Sequence, residues 1–179
     1  MQKSPISGAY LRPMVAADLE RVLAWRNHPD IRRYMYTQHA ISLKEHTQWF
    51  ERASQDEKRH LLVFENDGIS LGFINFHQIA VGGIVDWGFY AAPDAPKGTG
   101  SRLGNTALSF AFEKNKWHKI CGQALAYNER SIRFHQHLRF TQEGVLRKQH
   151  FDGVDYHDIF CFGLLASEWF PRNNGEQDA

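Results

Sequence analysis

The chain has 179 residues, of which 42% are hydrophobic, and its formal net charge at pH 7 is +1. This length favours a single domain spanning residues 1–179, with an ordered core at about 9–171, and the composition can supply one good core. The dispersed charge argues against nucleic-acid and membrane partners, the first residues lack a secretory signal, and two cysteines exclude a disulfide framework, so a cytoplasmic protein is expected.

The first half of the chain predicts a strand, two helices and three further strands. The first strand is "GAYLRPM", and the first helix ends near Pro29. The second helix begins at about Leu43, because Ser42 and Glu45 form the S-x-x-E pattern of a capping box. The runs "HLLVFE", "LGFINFHQI" and "IVDWGFYA" are typical of strands, and the turn sequences "NDG" and "VGG" between them indicate hairpins.

The second half predicts two more helices and three more strands. In chain order they are a helix over about Ser101–Lys116, a strand over Lys119–Leu125, a helix over Asn128–Leu138 and an antiparallel pair, "GVLRKQHF" and "YHDIFCFGLL". The order β-α-α-β-β-β-α-β-α-β-β predicts an α/β protein with a mixed sheet and helices on its faces.

The stretch that leads into the third predicted helix carries glycines at positions 98, 100 and 104, behind Lys97. A loop that enters a helix presents unpaired N–H groups and the positive end of the helix dipole, and glycine lets an anion approach the backbone closely. The spacing matches neither the Walker A pattern nor the dinucleotide-binding pattern G-x-G-x-x-G. It therefore indicates either a cradle for another kind of phosphate or a plain strand–helix turn.

Two motifs resemble the GCN5-related N-acetyltransferase (GNAT) family, in an order and spacing that fit essentially the whole chain. "VDWGFYAAPDAPKGTGSRLGNTALSFAF" resembles the family's strand, R/Q-x-x-G-x-G/A turn and apolar helix, although Ala95 replaces the usual Arg or Gln. "NERSIRFHQHLRF" resembles N-x-x-[AS]-x-x-x-Y-x-x-x-G-F, with His135 and Arg139 in place of Tyr and Gly. The resemblance implies a GNAT fold, with a mixed, mostly antiparallel seven-stranded sheet, about four helices and splayed central strands.

The resemblance also implies acetyl-CoA as co-substrate and direct transfer of its acetyl group to an amine. No metal ion is expected, because the i, i+2 spacing of His135 and His137 points their rings to different sides of a helix. The glycine turn would hold the pyrophosphate of coenzyme A, and the splayed strand would offer backbone donors to the thioester oxygen and the pantetheine. Asn128 would bind the pantetheine, cap its own helix, or do both. The residues implied to bind the co-substrate are Phe89, Tyr90, Ala91, Lys97, Gly98, Thr99, Gly100, Ser101, Arg102, Asn128 and Ser131.

Two residues are candidates for proton transfer. His135 aligns with the family tyrosine that donates to the leaving sulfur; alternatively, it only fills a tyrosine-sized site, or His137 points inward instead. Asp86 is the candidate base, directly or through a water, because partial burial would raise its pKa; alternatively, it faces solvent. Gln123 stands where one branch of the family tends to place a glutamate, and a glutamine does not usefully accept a proton.

The segment Trp25–Phe50 resembles two branches of the family. One contains RimJ/RimL-like acetyltransferases of protein N-termini or small amines. The other contains the nucleotide-aminosugar N-acetyltransferases of pseudaminic acid biosynthesis, which supply sugars for flagellin glycosylation. This is the branch that tends to place a glutamate at the position of Gln123. That branch implies the 4-amino group of UDP-4-amino-4,6-dideoxy-N-acetyl-β-L-altrosamine as acceptor, bound by Arg26, Met35, Tyr36, His46 and Trp49.

The chemistry of this segment suits a nucleotide sugar, since aromatic rings can stack on a base and arginines can bind phosphates. Each of these residues, taken alone, is also compatible with an ordinary core or surface role. A third hypothesis is an acyl-CoA-binding module without catalysis, which the departures at Ala95, Gln123 and His135 suggest. The expected partner is a small-molecule amine acceptor, and the expected state is a monomer or homodimer.

Overall fold

A computed structural model describes residues 8–169, and the loose tail predicted after Pro171 lies outside that range. The described part contains seven strands and five helices. The strands are β1 (Ala9–Pro13), β2 (Arg59–Asn66), β3 (Ile69–Ala80), β4 (Ile84–Ala91), β5 (Lys119–Leu125), β6 (Thr141–Phe151) and β7 (Tyr156–Leu165). The helices are α1 (Leu19–Asn27), α2 (Pro29–Arg32), α3 (Leu43–Ala53), α4 (Thr99–Ser109) and α5 (Glu129–His137).

The strands form one seven-stranded sheet in the order β1-β2-β3-β4-β5-β7-β6. Only β4 and β5 run parallel, and every other neighbouring pair is antiparallel. The predicted mixed and mostly antiparallel sheet is therefore confirmed. The helix α2 raises the number of helices from the predicted four to five, and its four residues are too few to show a helical period in the sequence.

Alternating side chains on each strand pack two cores, one on each face of the sheet. The first core lies under α4 and α5 and takes Leu62 and Phe64 from β2. The second core lies under α1 and α3 and takes the intervening Leu61 and Val63. The two faces therefore separate the helices that follow the glycine turn from the helices of the N-terminal third.

The helix α4 begins two residues before its predicted start at Ser101. Gly98 precedes it with φ of +87°, a left-handed conformation that glycine adopts without strain. The Thr99 hydroxyl donates to the Pro96 carbonyl at 2.7 Å and closes the turn. The helix ends in a π-helical turn over Phe110–Lys114, so the predicted end at Lys116 is two residues late.

The parallel pair β4 and β5 is joined over only three residue pairs, the last of which is Asp86 with Cys121. Beyond it β4 continues to Ala91 and stays paired with β3, whereas β5 continues to Leu125 and stays paired with β7. The two strands therefore part at Asp86, which confirms the splayed centre of the sheet. Among the described residues, no helix has the length and apolar character needed to cross a membrane.

The residues 33–42, which we call the 33–42 segment, cross the second-core face between α2 and α3. The Asn27 amide holds one end, because its Nδ2 donates to the Ile41 carbonyl at 2.8 Å and its Oδ1 accepts from the Ile41 N–H at 2.9 Å. At the other end, the Tyr127 hydroxyl donates to the Arg33 carbonyl at 3.3 Å. The segment thereby reaches from α1 to the strands on the far side of the split.

Candidate active site

The glycine turn forms the N-terminus of α4 beside the split between β4 and β5. Lys97, Gly98 and Arg102 are exposed there, so the turn presents cations and backbone N–H groups to solvent. The side chain of Thr99 is 2% exposed and serves the turn itself through its bond to Pro96. Ala95, which replaces the family's usual Arg or Gln, packs against the second core. With Thr99 and Ala95 in structural roles, the backbone of the turn and the side chain of Arg102 could hold a pyrophosphate.

The outer part of β4 supplies the other predicted co-substrate contacts. Phe89 points into the first core, with its ring 4.6 Å from that of Phe134. Tyr90 points to the opposite face, with its ring 5.4 Å from that of Phe73. The side chains thus anchor the strand on both faces, and its backbone edge toward β5 is left for hydrogen bonds to a bound molecule.

The start of α5 uses both of its predicted site residues for capping. The Oδ1 atom of Asn128 accepts a hydrogen bond from the Ser131 N–H at 3.1 Å. The Ser131 carbonyl in turn accepts from the imidazole of His135 at 2.8 Å. Asn128 is therefore a helix N-cap, and only its amide nitrogen is left for a pantetheine contact.

The His135 side chain lies inside the first core, with 1% of its surface exposed. The indole N–H of Trp87 donates to its Nε2 at 3.1 Å, so the ring proton is on Nδ1 and points to Ser131. The ring also stacks on Phe162 at 4.7 Å. Burial lowers the pKa of His135 to about 4, so the ring is neutral at pH 7.

This environment supports the alternative that His135 fills a tyrosine-sized site. Both ring nitrogens already have protein partners, and a Cβ added to Gly122 would lie 2.5 Å from Nε2. A proton could leave the neutral ring only from Nδ1, away from the split. The donor role for His135 stays a prediction, and the geometry gives the residue a packing role in its own right.

Asp86 occupies the last paired position before β4 and β5 separate. It is partly buried, and burial raises the pKa of its carboxyl group to about 6. Strand alternation places it on the second-core face together with Tyr90 and, across the pair, Cys121. A carboxylate of this pKa at the mouth of the split is suited to take a proton from an amine near neutral pH.

Tyr36 extends from the 33–42 segment over the same face. Its hydroxyl donates to Oε1 of Gln123 on β5 at 2.7 Å, and it lies within electrostatic range of Asp86. Gln123 therefore holds Tyr36 and does not act as a base. The structure thus brings Tyr36, Gln123 and Asp86 together from three segments that are distant in the sequence.

Arg26 and His46 meet on the second-core face near Tyr90. Nη2 of Arg26 donates to the Thr37 carbonyl at 2.7 Å, whereas its Nη1 is buried and has no hydrogen-bond partner. Nε2 of His46, a side chain only 4% exposed, is likewise buried without a partner. Burial and the nearby Arg26 lower the pKa of His46, and burial lowers the pKa of Arg26.

The remaining predicted acceptor residues have different surroundings. Trp49 packs against the second core, 6.0 Å from Phe73, and stacks on the His46 ring at 5.1 Å. Met35 is partly buried in the 33–42 segment. Trp49 is therefore a core residue whose contribution to the site is to orient His46.

Two residues on this face were not predicted from the sequence. Asn75 on β3 stands opposite Gly88 of β4, and its Oδ1 is buried without a partner. His150 on β6 is 7% exposed, lies 5.6 Å from the Tyr36 ring, and has an unpartnered Nε2. No local pattern marks either residue, because each becomes part of the site only through contacts with distant segments.

The ionisable side chains of the site are not arranged as a metal centre. Within residues 8–169, no group of three or more His, Cys, Asp or Glu side chains is placed to hold a metal ion. The site therefore consists of a carboxylate, backbone groups, amides, imidazoles and an arginine.

Comparison with known proteins accounts for this architecture. A family model described as "Acetyltransferase (GNAT) domain" matches residues 9–141, more than half of the chain. The acetyltransferase PseH of Campylobacter jejuni strain 81-176 is 33% identical over 125 residues, which cover 69% of this chain and 77% of that protein. An uncharacterised prophage-derived N-acetyltransferase of Bacillus subtilis, YokL, is 30% identical over 132 residues, covering 72% and 73% of the two chains.

Solved structures agree on the fold. The crystal structure of a spermidine N-acetyltransferase from Vibrio cholerae, in complex with CoA and spermine, superposes with a TM-score of 0.83 at 22% identity, covering 90% of this chain and 97% of that one. An N-acetyltransferase from Staphylococcus aureus superposes with a TM-score of 0.74 at 25% identity, covering 89% and 99%. This chain therefore belongs to the GNAT family, and it is an acetyltransferase that depends on acetyl-CoA as the acetyl donor.

Proposed function

We propose that this enzyme acetylates the 4-amino group of a UDP-linked 4-amino-4,6-dideoxy sugar, UDP-4-amino-4,6-dideoxy-N-acetyl-β-L-altrosamine, in pseudaminic acid biosynthesis. The similarity to two PseH acetyltransferases of Campylobacter jejuni, at 33% and 34% identity, supports this choice of branch. The observation that carries it is the pair of buried, unpartnered nitrogens on Arg26 and His46.

A buried guanidinium without a counter-ion is unfavourable, because desolvation of its charge is not offset. Among the described residues, the titratable groups that act on Arg26 are Tyr90, whose phenol is neutral at pH 7 because burial raises its pKa, and Arg32; no carboxylate is among them. A diphosphate would supply the missing negative charge and would accept hydrogen bonds from Arg26 and His46. This arrangement therefore favours an anionic acceptor.

The same charges argue against a polyamine acceptor, which the Vibrio cholerae relative binds in its crystal structure. Arg26 and Arg32 would repel its ammonium groups, since like charges at short range are unfavourable on a partly buried surface. The sequence difference at Gln123 does not weaken the nucleotide-sugar proposal, because Gln123 has a defined task in holding Tyr36.

The proposed reaction is a direct transfer in a complex with both substrates. The amine nitrogen attacks the thioester carbonyl carbon, the new C–N bond forms, and the C–S bond breaks. Backbone N–H groups along the free edge of β4 would face the oxygen on which negative charge develops. Holding both reactants in the split between β4 and β5 would lower the barrier through proximity.

Asp86 would take the proton that the amine must lose, directly or through one water. With a pKa of about 6, it is ionised at pH 7 and can return the proton to solvent between turnovers. The leaving thiolate of coenzyme A would take its proton from solvent, because a thiol with an ordinary pKa of about 8.5 is mostly protonated at pH 7.

Turnover on matched acceptors tests the proposal. The enzyme is incubated with acetyl-CoA and, separately, the UDP-4-amino sugar, spermidine and a peptide with a free N-terminus, and products are identified by mass spectrometry. We expect the 4-N-acetylated UDP sugar to form with the highest kcat/KM. Acetylation of the peptide or spermidine with no turnover of the UDP sugar would reject the proposal.

A further inference from the structure

A pocket opens on the second-core face, on the β5 side of the split. It has a volume of about 300 Å³ and lies over β5, β6 and β7. Its lining residues are Tyr36, Gln123, Leu146, Gln149, His150 and Ile159. Tyr36 belongs both to this pocket and to the surroundings of Asp86, so the pocket continues the acceptor site.

The pocket lies close to the reacting amine. Gln123 is two residues beyond Cys121, which pairs with Asp86, so its Cα lies roughly 8 Å from that of Asp86, given the dimensions of paired strands. Ile159 pairs with both Leu125 of β5 and Leu146 of β6, which makes β7 the floor of the pocket. An acceptor whose amine meets Asp86 can therefore reach the pocket with a neighbouring substituent.

The pocket combines an apolar wall with uncharged hydrogen-bonding groups. Leu146 and Ile159 provide the apolar part. Gln123 uses its Oε1 to accept from Tyr36, so its amide nitrogen is left as a donor. His150 brings a buried Nε2 without a protein partner. None of the six lining side chains is an aspartate, glutamate, lysine or arginine.

We propose that this pocket is a subsite for an N-acyl substituent of the acceptor. The acyl methyl group would lie against Leu146 and Ile159, and the amide carbonyl would accept from Gln123 or His150. A cationic substituent is disfavoured, because no carboxylate lines the pocket to offset its desolvation. This proposal rests on the proposed function only for the identity of the acceptor, since it deepens that same site.

The kinetic test uses two acceptors and two matched variants. The acceptors are UDP-4-amino sugars that differ only in carrying an N-acetyl group or a hydroxyl group at the second position. Leu146→Trp fills the pocket, whereas Val145→Trp places the same ring on the opposite face of β6, where the side chain is similarly exposed (41% and 40%). His150→Phe keeps a ring but removes the nitrogen.

We expect Leu146→Trp to raise KM for the N-acetyl acceptor about 10-fold or more, and to change KM for the hydroxyl acceptor and for acetyl-CoA less than about 2-fold. His150→Phe should likewise raise KM for the N-acetyl acceptor selectively. Val145→Trp should leave KM unchanged for both acceptors and for acetyl-CoA. The subsite would be overturned if Leu146→Trp and His150→Phe raised KM equally for both acceptors, or raised it for neither.

A binding measurement separates failure of the subsite from failure of the proposed function. If the wild type turns over neither sugar, the proposed function fails, and the pocket is then probed by NMR with N-acetylglucosamine and glucose. The subsite is supported if N-acetylglucosamine, but not glucose, perturbs the side-chain amide signals of Gln123 and Gln149. This perturbation should be lost in Leu146→Trp and kept in Val145→Trp. Absence of perturbation, or the same perturbation by glucose, overturns it.

Discussion

Single residues of this enzyme acquire their chemistry from burial and from a few hydrogen bonds. Asp86 is a partly buried titratable group on β4 and His135 is a buried one packed against β4, yet their situations are opposite. Asp86 stands at the mouth of the split with a raised pKa, whereas His135 is enclosed with both nitrogens bonded to protein groups. Asp86 is therefore ready to exchange protons, and His135 is held in one neutral tautomer.

The pH dependence of activity should follow the ionisation of Asp86. We expect kcat/KM to fall as the pH decreases through about 6, because the protonated carboxyl group cannot act as a base. Asp86→Asn should lower kcat about 100-fold or more and remove that part of the profile. Steady-state kinetics between pH 5 and pH 9 measure both effects. An unchanged profile in Asp86→Asn would assign the base to another group.

The same residue should limit stability at higher pH. Its folded-state pKa is raised above the ordinary value, so its contribution to stability is fully present below pH 3.8 and is lost as the pH rises through about 6. Asp86→Asn should therefore have an equal or higher Tm at pH 8, and that advantage should shrink toward pH 4. Thermal unfolding at the two pH values measures this difference. A lower Tm for the variant at pH 8 would contradict the burial argument.

His135 should matter more for folding than for proton transfer. His135→Phe leaves the buried Trp87 indole N–H without an acceptor, so we expect the free energy of unfolding to fall by about 1–3 kcal/mol. Turnover should change less than about 3-fold if the ring only packs, because the proposed route takes no proton from it. Trp87→Phe is the matched control, since it breaks the same hydrogen bond and leaves the imidazole in place. If turnover fell about 100-fold in His135→Phe but not in Trp87→Phe, the donor role would be restored.

At the scale of elements, the proposed coenzyme A site depends on the turn that joins β4 to α4. The turn needs a left-handed residue at position 98, and Gly98 supplies it with φ of +87°. Thr99 then closes the turn through Pro96, and α4 begins with exposed backbone N–H groups at its N-terminus. The turn is thus shaped by one backbone conformation and one side-chain hydrogen bond.

Gly98→Ala should therefore weaken acetyl-CoA binding and lower stability together. The strained backbone should cost about 1 kcal/mol of unfolding free energy. We also expect Kd for acetyl-CoA to rise about 5-fold or more, because the turn relaxes away from the geometry that binds an anion. Gly153 in the β6–β7 hairpin has φ of +103° and open space around its Cα, so Gly153→Ala is the control. Titration calorimetry distinguishes the two, and equal acetyl-CoA affinity in both variants would argue against the cradle.

At the scale of the whole molecule, local signals in the sequence were sufficient for the seven strands and for every α-helix except the four-residue α2, but not for the site. The capping box at Ser42 and Glu45 is present as predicted, since each side chain accepts from the other residue's backbone N–H. The surroundings of His135 depend on α5 packing under β4, and those of His150 depend on the 33–42 segment crossing to β6. Such contacts join residues that are far apart in the chain, so a local sequence pattern does not predict them.

The fold places three proposed binding regions side by side across the sheet. The glycine turn lies beside the split between β4 and β5, the unpartnered nitrogens of Arg26 and His46 lie on the second-core face near Tyr90, and the uncharged pocket lies over β5 to β7. We propose that the acceptor region at Arg26 and His46 binds the diphosphate of the nucleotide. It follows that the importance of Arg26 depends on whether the acceptor carries a nucleotide.

The most direct measurement compares kcat/KM of the wild type and of Arg26→Met on the UDP-4-amino sugar and on the same amino sugar without UDP. Methionine keeps an unbranched apolar stem like that of arginine but removes the guanidinium and its charge. We expect Arg26→Met to lower kcat/KM about 30-fold or more with the UDP sugar, in the range expected for a charge-assisted contact, and less than about 3-fold with the free sugar. Equal losses with both acceptors, or no loss with the UDP sugar, would contradict diphosphate binding at Arg26.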